Sequence, residues 1–150
     1  MLNSNLFFRG NYSWVLWVHI DDYFIDGATV SQVGNLTFDI CKKHLDEIKI
    51  VTTGKVCETI LDIYQNDGII SEPAGALSIA SLDLIDPNLI QGKNIVCILS
   101  GGNNDVSRYQ EIIERSLVYQ NLKHYYLIRF AQTPGQLKKF INGVLGDNDD

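Results

Sequence analysis

This chain lacks most of the marks by which a binding or catalytic class shows itself. It has three cysteines, an odd number, and no C-x-x-C pair. That pattern suits free thiols in a reducing cytosol rather than a disulfide framework. Cys41, Cys57 and Cys97 each sit among apolar neighbours, so all three are expected to be buried. His19, His44 and His124 are isolated, no two at metal-ligand spacing, and no metal site is expected. There is no block of Lys and Arg, and the formal net charge is −6, so nucleic acid is not an expected partner. The apolar run Trp14–Val18 is far shorter than the ~20 residues needed to span a bilayer. No basic lead and small-residue cleavage site mark a secretory signal, so no membrane partner is expected. Internal repeats are absent, and the acidic end "DNDD" is the single biased tract.

What is present is a globular composition: 150 residues, 45% apolar and 20% charged, enough for one domain of ordinary size. "LTFDICKKHLDEI" sets Leu36, Ile40, Cys41, Leu45 and Ile48 at helical spacing, which predicts a helix over 36–47. "IKIVTTG" alternates and ends on glycine, a short strand at 48–52. Val56, Ile60, Ile63 and Tyr64 form a second stripe, a helix over 55–66 stopped by Asp67-Gly68. Ile69 and Ile70 make a brief strand, after which Pro73 opens a helix over 73–84, proline being favoured at the first helical position. Its residues are mostly Ala, Gly, Ser, Leu and Ile, so it is expected to be buried on several sides.

After the loop "DPNLIQGK" a strand is expected at 94–99 and a helix at 104–119. "HYYLIRF" at 124–130 alternates again, and "TPGQLKKFINGVLG" carries one apolar stripe of Leu137, Phe140, Ile141, Val144 and Leu145. Alternating strands and amphipathic helices predict an α/β layer fold with parallel strands. The last strand and helix cannot bury both apolar faces, so they read as the opening of a second, incomplete βα unit.

Chemistry concentrates in "NIVCILSGGNND", residues 94–105. A strand-like run breaks into Ser100, Gly101, Gly102 and two asparagines. Glycines let another group approach the backbone closely, and ligands in open α/β sheets sit beyond the carboxyl ends of strands. Glu72 of "SEPAGA" stands at a helix start, where a carboxylate can simply offset the helix dipole and bond free amides. Gly27 of "DGATV" reads equally well as an ordinary Asp-Gly turn.

Four stretches, "DGATVSQVGNLTF", "GKVCETILDIYQNDGIISEPAGALSIA", "GKNIVCILSGGNNDVSRYQEIIERSLVYQ" and "LKHYYLIRFAQTPGQLKKF", closely resemble the C-terminal part of the threonine dehydratases. These are pyridoxal-phosphate enzymes of the tryptophan-synthase-β fold type. The resemblance covers residues 20–150. It implies that residues 20–119 are the C-terminal part of the large pyridoxal-phosphate domain. Residues 120–150 are then the first βα of an ACT-like regulatory domain, and 1–19 an unassigned lead-in for which a shifted reading frame is one origin.

It further implies that Ser100 faces the pyridine nitrogen of the cofactor, with Gly101 and Gly102 letting the backbone pass the ring. Glu72 and Gly27 would lie beside the cofactor. A hydroxyl can hydrogen-bond a pyridine nitrogen but cannot keep it protonated as an aspartate would. The ring is then a weaker electron sink, which disfavours transamination and leaves β-elimination as the competitive path.

The implied reaction of the intact enzyme converts L-threonine to 2-oxobutanoate and ammonia in isoleucine biosynthesis. Isoleucine or valine would be effectors, the assembly a homo-oligomer, and the compartment the cytoplasm. Catalysis in the family needs a Schiff-base lysine in an S-F-K-x-R-G-like context. None of Lys42, Lys43, Lys49, Lys55, Lys93, Lys123, Lys138 or Lys139 has those neighbours, and the glycine-rich phosphate cradle is absent too. The chain is therefore expected to be a fragment, inactive alone. Its alternatives are a non-catalytic amino-acid-binding module and a half-enzyme that needs a separate N-terminal piece.

Overall fold

A computed structural model describes residues 23–29 and 34–145. Six α-helices run among them: α1 Asn35–His44, α2 Thr53–Asp67, α3 Pro73–Ala80, α4 Pro87–Ile90, α5 Tyr109–Tyr119 and α6 Gln136–Val144. Short 3-10 turns lie at Asp26–Ala28, Leu82–Leu84 and Val106–Arg108.

Local chemistry explains the boundaries. The Thr52 hydroxyl accepts from the Lys55 amide at 3.4 Å, which opens α2. Gly68 closes α2 with φ of 67° and donates its amide back to Tyr64, the left-handed cap that glycine adopts without a Cβ penalty. Pro73 occupies the first turn of α3. Asp105 accepts from the Ser107 amide at 2.9 Å and starts the turn that leads into α5. That bond holds the Asp105 carboxyl below the usual carboxylate range.

The core lies among α2, α3 and α5, with α2 packed against both of the others. Val56, Cys57, Ile60 and Ile63 of α2 meet Ala76 and Ala80 of α3, Ile112 of α5 and Phe24. The α2–α5 crossing is close. A Cβ on Gly54 would fall 2.5 Å from Tyr119 Cβ, so only glycine permits this approach. The expectation that helix 73–84 is buried on several sides holds for Pro73, Gly75, Ala76 and Ala80. The regular helix, however, ends at Ala80 and continues as a 3-10 turn.

Three expectations differ from the structure. Segments 48–52, 94–99 and 124–130, along with Ile69 and Ile70, form no strand ladder among the described residues. A strand is defined by its partner, and alternation alone supplies none. Cys41 is exposed and Cys97 only half-buried, so Cys57 alone is the buried thiol expected. The apolar stripe of α1 is also open: Leu36 is 75% exposed, and Ile40, Leu45 and Ile48 are exposed as well. No other described helix packs against α1 or α6, so much of their apolar faces stays exposed among the described residues. Within the last segment Phe130 and Phe140 stack edge to face at 5.6 Å between ring centroids. The loop "DPNLIQGK" contains a short helix, α4, begun by Asp86 accepting from the Asn88 amide.

Candidate functional site

The segment 97–104 runs against the start of α3. Ser78 donates its hydroxyl to the Ile98 carbonyl at 2.7 Å. The Glu72 amide donates to the Gly101 carbonyl at 3.1 Å. The side-chain amide of Asn104 reaches the Ser71 carbonyl at 3.2 Å. Two of these bonds fasten "SEPAGA" to "SGGNN", and the third ties the later part of α3 to the segment before Ser100.

Glycines make the seam possible. An added Cβ at Gly75 would lie 1.7 Å from the Ser100 carbonyl oxygen. At Gly101, which has φ of +73°, it would lie 2.2 Å from Glu72 Oε1. At Gly102 the nearest atom is the Ile70 carbonyl oxygen, at 3.1 Å. The Asp26–Ala28 turn closes on the same place. A Cβ on Gly27 would meet Ala74 Cβ at 3.1 Å and Glu72 Oε1 at 3.7 Å.

Glu72 is therefore the meeting point of Gly27, Gly101 and the first turn of α3. It stands at the N-cap position of α3, but its side chain makes no capping hydrogen bond. The helix-capping reading of this carboxylate does not describe its contacts. Ser100 is exposed, and its hydroxyl has no hydrogen-bond partner among the described residues. All five residues singled out from the sequence, Gly27, Glu72, Ser100, Gly101 and Gly102, thus share one neighbourhood.

Sequence reasoning missed three members of this neighbourhood. Gly75 had a signal, since glycine inside a helix costs about 1 kcal/mol against alanine and calls for a packing reason. Asn104 and Arg108 had none, because their partners lie far away in sequence: 33 residues from Asn104 to Ser71 and 84 from Arg108 to Phe24. A separate cleft of about 270 Å³, lined by residues of α2 with Ile79, Leu82 and Asp83, contains none of the five.

Residues 9–101, more than half of the chain, match the model of the pyridoxal-phosphate dependent enzymes. The chain belongs to that family. Residues 114–149 match the C-terminal regulatory domain of threonine dehydratase. Over 129 residues the chain is 54% identical to the biosynthetic L-threonine dehydratase IlvA of Halalkalibacterium halodurans, covering 86% of this chain and 31% of that protein. It is 51% identical to the protein of the same name from Staphylococcus aureus strain bovine RF122, covering 86% and 30%. The chain thus spans about three-tenths of the length of these curated relatives.

The family's cofactor is pyridoxal phosphate, and the residues present suit one edge of its ring. Gly27 and Gly101 leave bare backbone around the Glu72 carboxylate, with Gly102 beside the Ile70 carbonyl, and the Ser100 hydroxyl next to them has no hydrogen-bond partner among the described residues. The match to the catalytic family begins at residue 9, inside the stretch left unassigned from sequence. Residues 1–22 lie outside the described residues. Among the described residues no helix is long and apolar enough to cross a membrane.

Proposed function

We propose that this chain supplies one wall of the pyridoxal-phosphate site of an L-threonine dehydratase and part of its regulatory unit. The observation that carries the reading is the convergence of Gly27 and Gly101 on Glu72, beside the Ser100 hydroxyl, which has no partner among the described residues. When bound, pyridoxal phosphate supplies an electron sink for charge at the α-carbon of an amino acid. In this reading Ser100 donates a hydrogen bond to the pyridine nitrogen and leaves it without a formal charge. Gly101 and Gly102 give the ring room along the backbone, and Gly27 belongs to the loop that lines it. Glu72 orients the site through its contacts with both glycine loops.

Residues 20–119 form the catalytic portion in this proposal and residues 120–150 the regulatory one, which responds to isoleucine or valine. This junction falls inside the second of the two family matches, which end at 101 and begin at 114. Segments 48–52 and 94–99 become parallel strands of an α/β sheet once neighbouring strands are supplied. The complete enzyme is a cytoplasmic homo-oligomer acting on L-threonine.

Purified alone, the chain is expected to be inactive, since none of its eight lysines has the family's Schiff-base context. Two measurements test this: ammonia release from threonine, and borohydride reduction followed by mass spectrometry for a pyridoxyl-lysine. Turnover together with a trapped adduct on this chain would overturn the proposal. Activity that appears only on adding an N-terminal half from a relative would support it, in its complementing form. Isoleucine binding without any effect of pyridoxal phosphate would favour a regulatory module instead.

A further inference from the structure

The Gly27 turn owes its position to a residue outside the loops so far described. Arg108 lies in the turn before α5, 84 residues from Phe24 in sequence. Its Nη2 donates to the Phe24 carbonyl. Its Nη1 stands 3.7 Å from Asp26 Oδ1, and that same oxygen accepts the Gly27 amide at 2.9 Å. The guanidinium carbon is 4.8 Å from the centre of the Phe24 ring, and that of Arg115 is 4.6 Å away. Phe24 itself is 5% exposed. One planar fork therefore grips the turn twice and stacks on its anchor, a combination a lysine cannot reproduce.

We propose that Arg108 is a positioning residue for the cofactor edge. It sets the Gly27 turn against Glu72 through Phe24 and Asp26 without touching either Gly27 or Glu72 itself. The inference rests on the pyridoxal-phosphate reading for its purpose, but the hold on the turn is separable from it.

Hydrogen exchange by mass spectrometry on the full 150-residue chain reads both parts. In Arg108→Met the amides of the turn, residues 24–29, should exchange roughly tenfold faster, while a peptide spanning 56–63 in the core stays unchanged. Arg108→Lys keeps the charge but loses the second grip and the stacked plane, so its turn should exchange about threefold slower than in Arg108→Met and still faster than in the parent. An unchanged turn in Arg108→Met would overturn the proposal. So would a turn and core that loosen together in both variants, since Arg108 would then act on the whole fold.

Pyridoxal phosphate, added at high concentration because the chain has neither the Schiff-base lysine context nor the phosphate cradle, should protect 24–29 and 100–104 in the parent chain, only partly in Arg108→Lys and not in Arg108→Met. If the cofactor protects nothing in the parent, the cofactor reading fails, and the measurement without cofactor still decides whether Arg108 holds the turn.

Discussion

Replacing Gly75 with alanine would set a methyl carbon 1.7 Å from the Ser100 carbonyl oxygen, 2.8 Å from its carbonyl carbon and 2.9 Å from Ser71 Oγ. The first two are backbone atoms, so no flexible side chain can swing aside. The chain at Ser100 must retreat by ~1.5 Å before ordinary contact is reached. A retreat of that size breaks the three bonds of the seam: Ser78 to Ile98, Glu72 to Gly101, and Asn104 to Ser71. At about 1 kcal/mol each they account for roughly 3 kcal/mol. Alanine returns about 1 kcal/mol through its better helix propensity. The net loss is about 2 kcal/mol, or roughly a thirtyfold rise in the unfolding constant. Urea denaturation followed by circular dichroism measures it, with an unchanged slope showing that only stability moved. A G75A chain as stable as the parent would refute the reasoning, for it would mean that Ser100 is not held against α3.

Three further outcomes are expected. Gly101→Ala combines a strained positive φ with a Cβ 2.2 Å from Glu72 Oε1, so it should expel the Glu72 carboxylate and abolish any absorbance change of added pyridoxal phosphate; an unaltered titration would count against the seam's place in the site. An alkylating reagent should label Cys41 first, Cys97 more slowly and Cys57 only after denaturant, in keeping with their burial, and early labelling of Cys57 would contradict the core described. Hydrogen bonds to Asp83 and then Glu58 raise the Lys55 ammonium above its ordinary 10.5. Its stabilisation is full below that value and is lost as pH climbs toward the folded-state value, so above about pH 10.5 urea midpoints should fall less steeply in K55M than in the parent.

The helices were legible because their signals are local. Pro73 marks the start of α3, Asp67-Gly68 the end of α2, and the stripe Val56, Ile60, Ile63 its buried face. Boundaries drifted where no such signal stands, as at α1, expected to reach residue 47 but ending at His44. Segments 48–52, 94–99 and 124–130 show the limit of periodicity. Alternation describes which faces a strand would present, and says nothing of whether a partner is there to pair with it. The exposure of Cys41 has the same cause, since an apolar stripe is buried only where another element covers it. Among the site residues, those in recognisable motifs could be singled out, while Asn104 and Arg108 act across distances that no spacing rule reports.

The seam and the Arg108 grip also bear on the order in which the chain acquires its structure. Helices α2 and α3 need only neighbours a turn away, whereas Asn104 must find Ser71 across 33 residues and Arg108 must find Phe24 across 84. Closing longer loops costs more entropy, and contacts of high sequence separation are slow to form. By this argument the edge that faces the cofactor is the last part of the described structure to assemble and the first to open, so a ligand that bridges Gly27 and Gly101 would act as a clasp on the final folding step.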